Sequence, residues 1–430
     1  MSDTVPNDCF APSAGLMQHG EAVGLLKSRI IPVGGVEAVA LSAAGGRILA
    51  EEICAPYDVP RHTNAAVDGY AFAASDYSRT EGTSFALAGR AAAGHPLQQM
   101  PGTGEAVRIL TGAVLPEGVD TVAMQEDVEI SGDAANSSGP RVRIPGGLKP
   151  GANVRKAGED VRAGHELFSN GHLLRPQDLA ALASIGRGIV SCSRRLRVGI
   201  VSSGDEVIRA GQRELGIGEV YDANAPMLEA LVRLTGAEAI DLGIWPDRRD
   251  EVTSRLAEAA NSLDVIITSG GASLGEEDHM SAALGMLGSC HFWRIAVKPG
   301  RPMMFGQIGS ATMIGLPGNP VAVFVCFLMY VYPLLRRSSG AAWPEPRRFM
   351  LPAAFEFANR KLGRREFWRA SLIEGPNGLM AEKFARDGSG LISGLRAADG
   401  LIEVGEDVPA VARGDAIAFI PFSEFGILGR

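Results

Sequence analysis

The sequence predicts a multidomain protein, α/β plus β, and three observations support this. The chain has 430 residues, more than one hydrophobic core usually supports. Between residues 196 and 342, strand-like apolar runs alternate with helix-like stretches, as in a mostly parallel sheet covered by helices. Residues 64–164 and 343–430 show short apolar runs between Gly, Pro and Asn turns, which favours β structure.

The N-terminal part is predicted to begin with a loose leader, because residues 1–20 are polar and small. Residues 21–49 look helical, in two pieces that break at 32–35. A further helix is predicted at 176–185, with Pro176 at its start and Gly186 just past its end.

The α/β segment is predicted to contain parallel strands, two further paired strands and several helices. The parallel strands are expected at 197–201, 238–242, 263–268 and 312–315, the paired strands at 291–297 and 302–306, and helices at 224–234, 250–260 and 278–287. Asn224 is expected to cap the first of these helices. The very apolar stretch 321–335 is short for a membrane span and contains Pro333, so it predicts a buried helix.

Bulk composition excludes several function classes. A formal net charge of −8 argues against nucleic-acid binding as the main task. The five cysteines are widely spaced without a CxxC pair, which disfavours a zinc or redox site and suits the reducing cytoplasm. Neither a signal peptide nor a membrane association is predicted. No Ser/His/Asp or paired-His spacing supports covalent or His-metal catalysis.

Two Gly-rich turns follow predicted strands and precede predicted helices: TSGGASLGEED at 268–278 and GLPGNP at 315–320. Such turns present backbone N–H groups to an anion, at the strand ends where ligands of these sheets bind. Tight turns and a Pro-started helix cap would explain the same residues without a ligand. The acids Glu276, Glu277 and Asp278 favour an anion site with a bridging metal ion.

A basic cluster follows in the sequence. Arg294 and Lys298 are four residues apart, which places both on one face if the segment is a strand. With Arg301 at the next turn they predict an oxyanion clamp, and a solvated strand face is the alternative. Asp205, Glu206 and Asp247 follow the first two strands of the α/β segment, where they would bind a ribose hydroxyl or a metal, or cap a helix.

The ordered motifs resemble those of the molybdopterin molybdenumtransferase family, which includes bacterial MoeA and the E domain of gephyrin. The resemblance extends from about residue 20 to near the end of the chain. Its segments are APYDVP (55–60), VDGYA (67–71), RILTGA (108–113), GED (158–160), SGDE (203–206), TSGGASLGEED (268–278), KPG (298–300), LPGNP (316–320) and RAADGLI (396–402).

The resemblance implies a MogA-like molybdopterin-binding α/β domain, an elongated N-terminal domain, an inserted β domain and a C-terminal β-barrel. It also implies a homodimer, with the active site between the α/β domain of one chain and the β domain of the other. The expected division is 1–20 for the leader, 21–60 with 165–195 for the elongated domain, 61–164 for the inserted domain, 196–342 for the α/β domain and 343–430 for the barrel.

The implied reaction joins molybdate to adenylylated molybdopterin with Mg²⁺ and releases AMP and molybdenum cofactor in the cytoplasm. The implied partners are a molybdopterin adenylyltransferase and recipient molybdoenzymes. The catalytic residues carried over are Asp68, Thr111, Glu206, Asp247, Asp278 and Lys298, of which Glu206, Asp247 and Asp278 would hold Mg²⁺. The substrate-binding residues carried over are Ser269, Gly270, Gly271, Ser273, Gly275, Arg294, Arg301, Pro317, Gly318, Asn319, Pro320 and Arg369.

The chain departs from the family pattern at three places. Arg294 stands where the family commonly has Lys, Asn64-Ala-Ala-Val replaces Ser-Ala-Met, and Asp247 is followed by Arg248 instead of a second Asp. Arg keeps the charge but presents a planar fork of donors. The alternative hypotheses are a divergent paralogue that serves as a scaffold, or one that uses tungstate. The retained acids and basic residues favour the enzyme.

Overall fold

The structure of the chain, a computed structural model, describes residues 16–131, 139–271 and 279–429. Its N-terminal part contains the helices His19–Arg29 and Pro176–Ser184. Strand Val36–Ala40 pairs antiparallel with Ile189–Ser193, and Ile53–Cys54 pairs with Glu166–Phe168. The second predicted helical piece is therefore wrong at 36–40, because pairing with a distant segment overrides local propensity.

The segment between these strands forms a six-stranded β sheet. Its order is Thr121–Met124, Gly69–Phe72, Glu105–Ile109, Thr83–Ala91, Arg141–Ile144 and Glu129–Ser131. A Cβ on Gly69 would lie 1.9 Å from the carbonyl oxygen of Ala123, so the VDGYA motif needs glycine for close strand approach. A small ladder, Asn64–Ala65 with Val154–Arg155, connects this sheet to the N-terminal part.

The central sheet has six strands. The order is Glu238–Trp245, Arg197–Ser203, Val265–Ser269, Ala311–Leu316, Met304–Ile308 and Ser289–Trp293. The first four strands are parallel to one another, and each of the last two pairs antiparallel with the strand before it in this order. A short parallel pair, Val207–Ile208 with Val220–Tyr221, follows the second of them. The helices of this unit are Asn224–Leu234, Arg249–Ser262, His279–Leu287 and the continuous run Pro320–Ser338.

The helix Pro320–Ser338 is long and apolar enough to cross a membrane, but 89% of its apolar window is buried inside the protein. It packs with the sheet strands and with Phe422 and Phe425 from the C-terminal part. The prediction of a buried core helix is confirmed.

The C-terminal part is a β domain whose sheet extends into the central unit. Its order is Val297–Lys298, Arg365–Gly375, Gly400–Val404, Ala416–Pro421 and Phe349–Pro352, with Gly378–Lys383 also paired to Arg365–Gly375 and a short helix Ile392–Ala397. Lys298 thereby pairs with Glu366 across the boundary of two units. The fold class predicted from the sequence is confirmed.

The predicted strand 291–297 is wrong in its second half. The strand ends at Trp293, and Arg294 has a left-handed backbone with φ of 75°. Arg294 and Lys298 therefore do not share a strand face, and the spacing argument for a common clamp fails.

Candidate active site

The carboxyl ends of the parallel strands form one wall of a cleft of about 760 Å³. The cleft contains the carboxylates Glu206, Asp222 and Asp247 and is called here the acidic cleft. Its other walls come from the Gly-rich turns at 269–271 and 318–320, the start of helix Asn224–Leu234, and residues 390 and 392 of the C-terminal part. This volume lies within the range of about 300–1,000 Å³ that is typical of small-molecule sites.

Asp247 and Glu206 lie where the first two strands of the wall end. The Ser203 hydroxyl donates to Asp247 Oδ1 at 2.9 Å, and the Asp247 backbone N–H points to Asp205 Oδ1 at 3.4 Å. Glu206 folds back over Gly204, where a Cβ would lie 2.4 Å from its Oε2. The bonds from Ser203 and to Asp205 fix Asp247 while leaving its Oδ2 for other partners.

Asp222 has a structural role in this cleft. Its Oδ1 accepts the N–H groups of Asn224 and Ala225 at 3.0 Å each, which caps the helix. Its Oδ2 accepts from Ser202 Oγ at 2.5 Å and from Arg209 Nη1 at 2.6 Å. With both oxygens used, Asp222 is a poor metal ligand.

Asn224 joins the two Gly-rich turns instead of capping its helix. It is the first helical residue, and its Nδ2 donates to Ser269 Oγ at 2.8 Å and to the Gly318 carbonyl at 2.7 Å. Its Oδ1 is buried and has no hydrogen-bond partner within the described part of the chain. The two turns are thus held together by one amide.

Within the described residues, two N–H groups at the Gly-rich turns already have partners in the protein. Gly270 and Gly271 have φ of 90° and 66°, and a Cβ on Gly270 would lie 2.8 Å from the Ser203 carbonyl oxygen. The Gly270 N–H donates to the Leu316 carbonyl at 3.1 Å. At the start of the core helix, the Val321 N–H donates to the Ser389 carbonyl at 3.0 Å. These two N–H groups are therefore used within the protein and are not available to a ligand.

A second cleft, of about 330 Å³, lies between the core helix and the C-terminal β domain. Four cationic side chains line it, together with the carboxylate of Asp387, and it is called here the basic cleft. The cations are Lys298, Arg301, Arg369 and Lys383.

Lys298 faces two carboxylates in the basic cleft. Its Nζ lies 3.6 Å from Oε2 of the buried Glu366 and 4.0 Å from Asp387 Oδ2. Glu366 also accepts from Trp368 Nε1 and Arg364 Nε, both at 2.9 Å. Both Lys298 contacts exceed hydrogen-bond length, so neither of these carboxylates takes up a donor of the ammonium.

Arg369 is predominantly structural. Its Nη1 donates to the Leu391 carbonyl at 2.8 Å and its Nη2 to the Arg386 carbonyl at 2.9 Å. The guanidinium lies 4.9 Å from the centroid of the Phe384 ring, and burial lowers its pKa. Arg301, in contrast, is exposed at the mouth of the cleft.

The two clefts share a wall. Asn319 lines both, Gly388 and Ser389 line the basic cleft, and Gly390 lines the acidic cleft. A ligand in one cleft is therefore separated from a ligand in the other by a single short stretch of chain.

The structure brings together many of the residues predicted from sequence. The acidic cleft contains Glu206, Asp247, Ser269, Gly270, Gly271, Gly318, Asn319 and Pro320, and the basic cleft contains Lys298, Arg301, Pro317, Asn319 and Arg369. Ser273, Gly275 and Asp278 lie outside the described residues, as do Glu276 and Glu277.

Three predicted residues line neither cleft: Asp68, Thr111 and Arg294. Asp68 Oδ1 accepts both the hydroxyl and the N–H of Thr111, each at 2.7 Å, and these bonds hold the pKa of Asp68 below its usual value. Arg294 contacts the N-terminal segment through its carbonyl, which accepts the Met17 N–H at 3.2 Å.

Sequence reasoning missed Asn224 as the residue that joins the two turns, and Asp222 beside it. It also missed three charges of the C-terminal domain: Lys383 and Asp387 in the basic cleft, and Glu366 next to Lys298. Asn224 could have been found from its position after the strand-like pair Val220–Tyr221. The three charges belong to a β domain whose local pattern carries no ligand signal.

Comparison with known proteins gives three family matches in chain order. The MoeA N-terminal region (domain I and II) matches residues 17–186, the probable molybdopterin binding domain matches 199–337, and the MoeA C-terminal region (domain IV) matches 351–422.

Similar whole proteins cover most of the chain. The molybdopterin molybdenumtransferase of Haemophilus influenzae is 36% identical over 89% of this chain and 93% of its own. Molybdopterin molybdenumtransferase 2 of Mycobacterium tuberculosis is 32% identical over 87% of this chain and 92% of its own. The crystal structure of the molybdopterin biosynthesis MoeA protein of Pyrococcus horikoshii OT3 superposes with a TM-score of 0.81 at 29% identity, covering 95% of this chain and 100% of that one.

Proposed function

We propose that this chain, which belongs to the molybdopterin molybdenumtransferase (MoeA) family, inserts molybdenum from molybdate into adenylylated molybdopterin and releases AMP. Its family makes it an enzyme of molybdenum cofactor biosynthesis. The nature of the two substrates is what the proposal adds.

One observation carries the proposal: two clefts of opposite charge share a wall at Asn319 and the 388–390 stretch. The reaction needs a large nucleotide-bearing substrate and a small oxyanion held side by side. The larger cleft suits the first substrate, and the smaller cationic cleft suits the second. Most of the rate enhancement would come from positioning and charge neutralisation.

Molybdate would enter the basic cleft as substrate. Arg301 is exposed at the mouth and would capture the dianion, and the Lys298 ammonium would bind it deeper in the cleft. Lys298 retains donors because its carboxylate contacts are 3.6 and 4.0 Å long. Arg369 would act indirectly, by holding the wall at Arg386 and Leu391.

The residues of the acidic cleft fit a Mg²⁺ ion that is completed by substrate. Within the described residues, no three His, Cys, Asp or Glu side chains could hold a metal by themselves. Mg²⁺ commonly uses one or two carboxylates plus substrate phosphates and waters. Glu206 and Asp247 would supply carboxylates, and the resemblance adds Asp278. The ion would neutralise charge on the phosphoanhydride as AMP leaves.

The acids and turns of the cleft would orient the substrate. Ser203 fixes one oxygen of Asp247, which directs the other into the cleft. The Asn224 amide fixes the turns at Ser269 and Gly318 relative to each other. Its free Oδ1 would accept a hydrogen bond from an amino, hydroxyl or water donor, so phosphate oxygens would lie elsewhere in the cleft.

We also propose a cytoplasmic homodimer with the domain division predicted above. Asp68 and Thr111 support the dimer, because this hydrogen-bonded pair lies next to the ends of two strands of the inserted sheet and lines neither cleft of its own chain. In a homodimer the pair would complete the acidic cleft of the second copy. An adenylyltransferase would supply the substrate, and molybdoenzymes would receive the product.

The test is AMP release from adenylylated molybdopterin by the purified protein, with and without molybdate and Mg²⁺. Release that requires both, and that falls at least about tenfold in Asp247→Asn, supports the proposal. The matched control is Asp415→Asn, which removes one carboxylate from the C-terminal domain away from both clefts. AMP release by the folded protein that ignores molybdate would overturn the assignment of the second substrate.

A further inference from the structure

Asp387 places a carboxylate between two of the cations of the basic cleft. Its Oδ1 lies 2.5 Å from Lys383 Nζ, and its Oδ2 lies 4.0 Å from Lys298 Nζ. The Asp387 side chain is 47% exposed, whereas the Lys383 side chain that it pairs with is only 9% exposed. A carboxylate here already provides the negative charge that an entering oxyanion would provide.

We propose that Asp387 is an internal competitor of the oxyanion substrate, so that it weakens oxyanion binding and sets the affinity of the basic cleft. The inference rests on the proposed function, because it takes the basic cleft as the molybdate site. An oxyanion bound to Lys298 would meet a like charge within a few ångströms and would have to displace it or tolerate it.

A purely structural role for Asp387 is disfavoured by the other bonds of its segment. Arg369 holds the carbonyls of Arg386 and Leu391, at 2.9 and 2.8 Å. The Ser389 carbonyl accepts the Val321 N–H at 3.0 Å. These three bonds fix the segment on both sides of Asp387, so the backbone of the loop is held without its ion pair to Lys383.

The proposal predicts the direction in which molybdate affinity changes when Asp387 loses its charge. Replacing the carboxylate by an amide removes one negative charge but keeps the shape of the side chain. A carboxylate within a few ångströms of a bound dianion repels it, and salt in the solution screens part of this repulsion. We expect molybdate to bind Asp387→Asn roughly tenfold more tightly than wild type, which is about 1.4 kcal/mol.

The experiment is calorimetric titration of full-length protein with sodium molybdate and, separately, with sodium tungstate at constant ionic strength. The variants are Asp387→Asn and the control Glu382→Gln. Glu382 is an exposed acid of strand Gly378–Lys383, which precedes Asp387, and it does not line the cleft, so it reports the effect of net charge alone. Thermal unfolding of each variant verifies that the fold is intact.

Tighter binding in Asp387→Asn, with Glu382→Gln close to wild type, supports the inference. Equal or weaker binding in Asp387→Asn overturns it and leaves the proposed function standing, provided that wild type binds molybdate. Equal tightening in both variants also overturns it, because net charge would then explain the effect. If neither wild type nor Asp387→Asn binds either oxyanion, the basic cleft is not the oxyanion site and both proposals fail.

Discussion

The acidic and basic clefts are built in different ways. The acidic cleft lies almost entirely on the edge of one sheet, where consecutive strands end in motifs that are visible in the sequence. The basic cleft exists only because strand Val297–Lys298 pairs with Arg365–Gly375 of the C-terminal domain. The acidic cleft should therefore tolerate changes at the domain boundary, whereas the basic cleft depends on it.

The largest expected effect tests whether the basic cleft carries the oxyanion chemistry. Lys298→Ala should lower molybdate-dependent AMP release by about 10²-fold or more, because it removes the central cation and leaves Glu366 with one partner fewer. Lys361→Ala, an exposed lysine that does not line the cleft, should retain wild-type rates. Steady-state kinetics with varied molybdate measures both. Wild-type kinetics in Lys298→Ala would remove the basic cleft from the mechanism.

A second effect tests the packing at the domain boundary beside the basic cleft. His19 is buried beside Tyr330 of the core helix and Phe367 of the basic cleft, with Nδ1 at 2.8 Å from the Tyr330 hydroxyl. Burial, assisted by Arg365, lowers its pKa from 6.5 to about 4.

Because the folded pKa is depressed, the neutral ring stabilises the fold above pH 6.5, and this stability is lost as pH falls toward 4. The free energy of unfolding should drop by at most about 3 kcal/mol over that range. Urea titrations of wild type and His19→Gln at several pH values measure the free energy of unfolding. The variant should lack the part of its pH dependence that comes from His19. An identical pH dependence in both proteins would exclude His19 as its source.

A third effect tests the integrity of the acidic cleft. Asn224→Leu deletes both bonds between the Gly-rich turns and should cost about 1–3 kcal/mol of stability. AMP affinity should fall, whereas molybdate affinity should change little if the clefts are built independently. Asn261→Leu, an exposed position on helix Arg249–Ser262, is the control. Equal losses of AMP and molybdate binding would show that the shared wall couples the clefts.

The smallest effect concerns Asp68 and Thr111, the hydrogen-bonded pair that lines neither cleft. Thr111→Val removes the hydroxyl that contributes most to lowering the pKa of Asp68, so that pKa should rise. The stability from this pair is present above the unfolded pKa of Asp68 and is lost as pH falls through the lowered folded value. NMR titration of the Asp68 carboxyl measures the shift, with Thr111→Ser as the variant that preserves it. An unchanged pKa in Thr111→Val would mean that the hydroxyl bond does not form in solution.

Prediction from sequence succeeded where one local pattern decides the outcome. The described parts of the Gly-rich turns at 269–271 and 318–320, Pro176 at a helix start and the buried helix after Pro320 each follow from nearby residues. Each of them lies where it was expected. Prediction failed at Val36–Ala40, which pairs with a strand more than a hundred residues away, and at Arg294, whose left-handed backbone ends a strand.

The sequence by itself determined the order of the parallel strands and helices in the central unit, the burial of the core helix and the meeting of both Gly-rich turns at one sheet edge. Apolar periodicity and the conformational limits of Gly and Pro are local, so they can be read from the chain. Only the tertiary structure decided that Arg369 holds carbonyls and that Asp387 faces Lys298 and Lys383. Charge interactions depend on distance and burial, and in the basic cleft both are set by the contact of two domains.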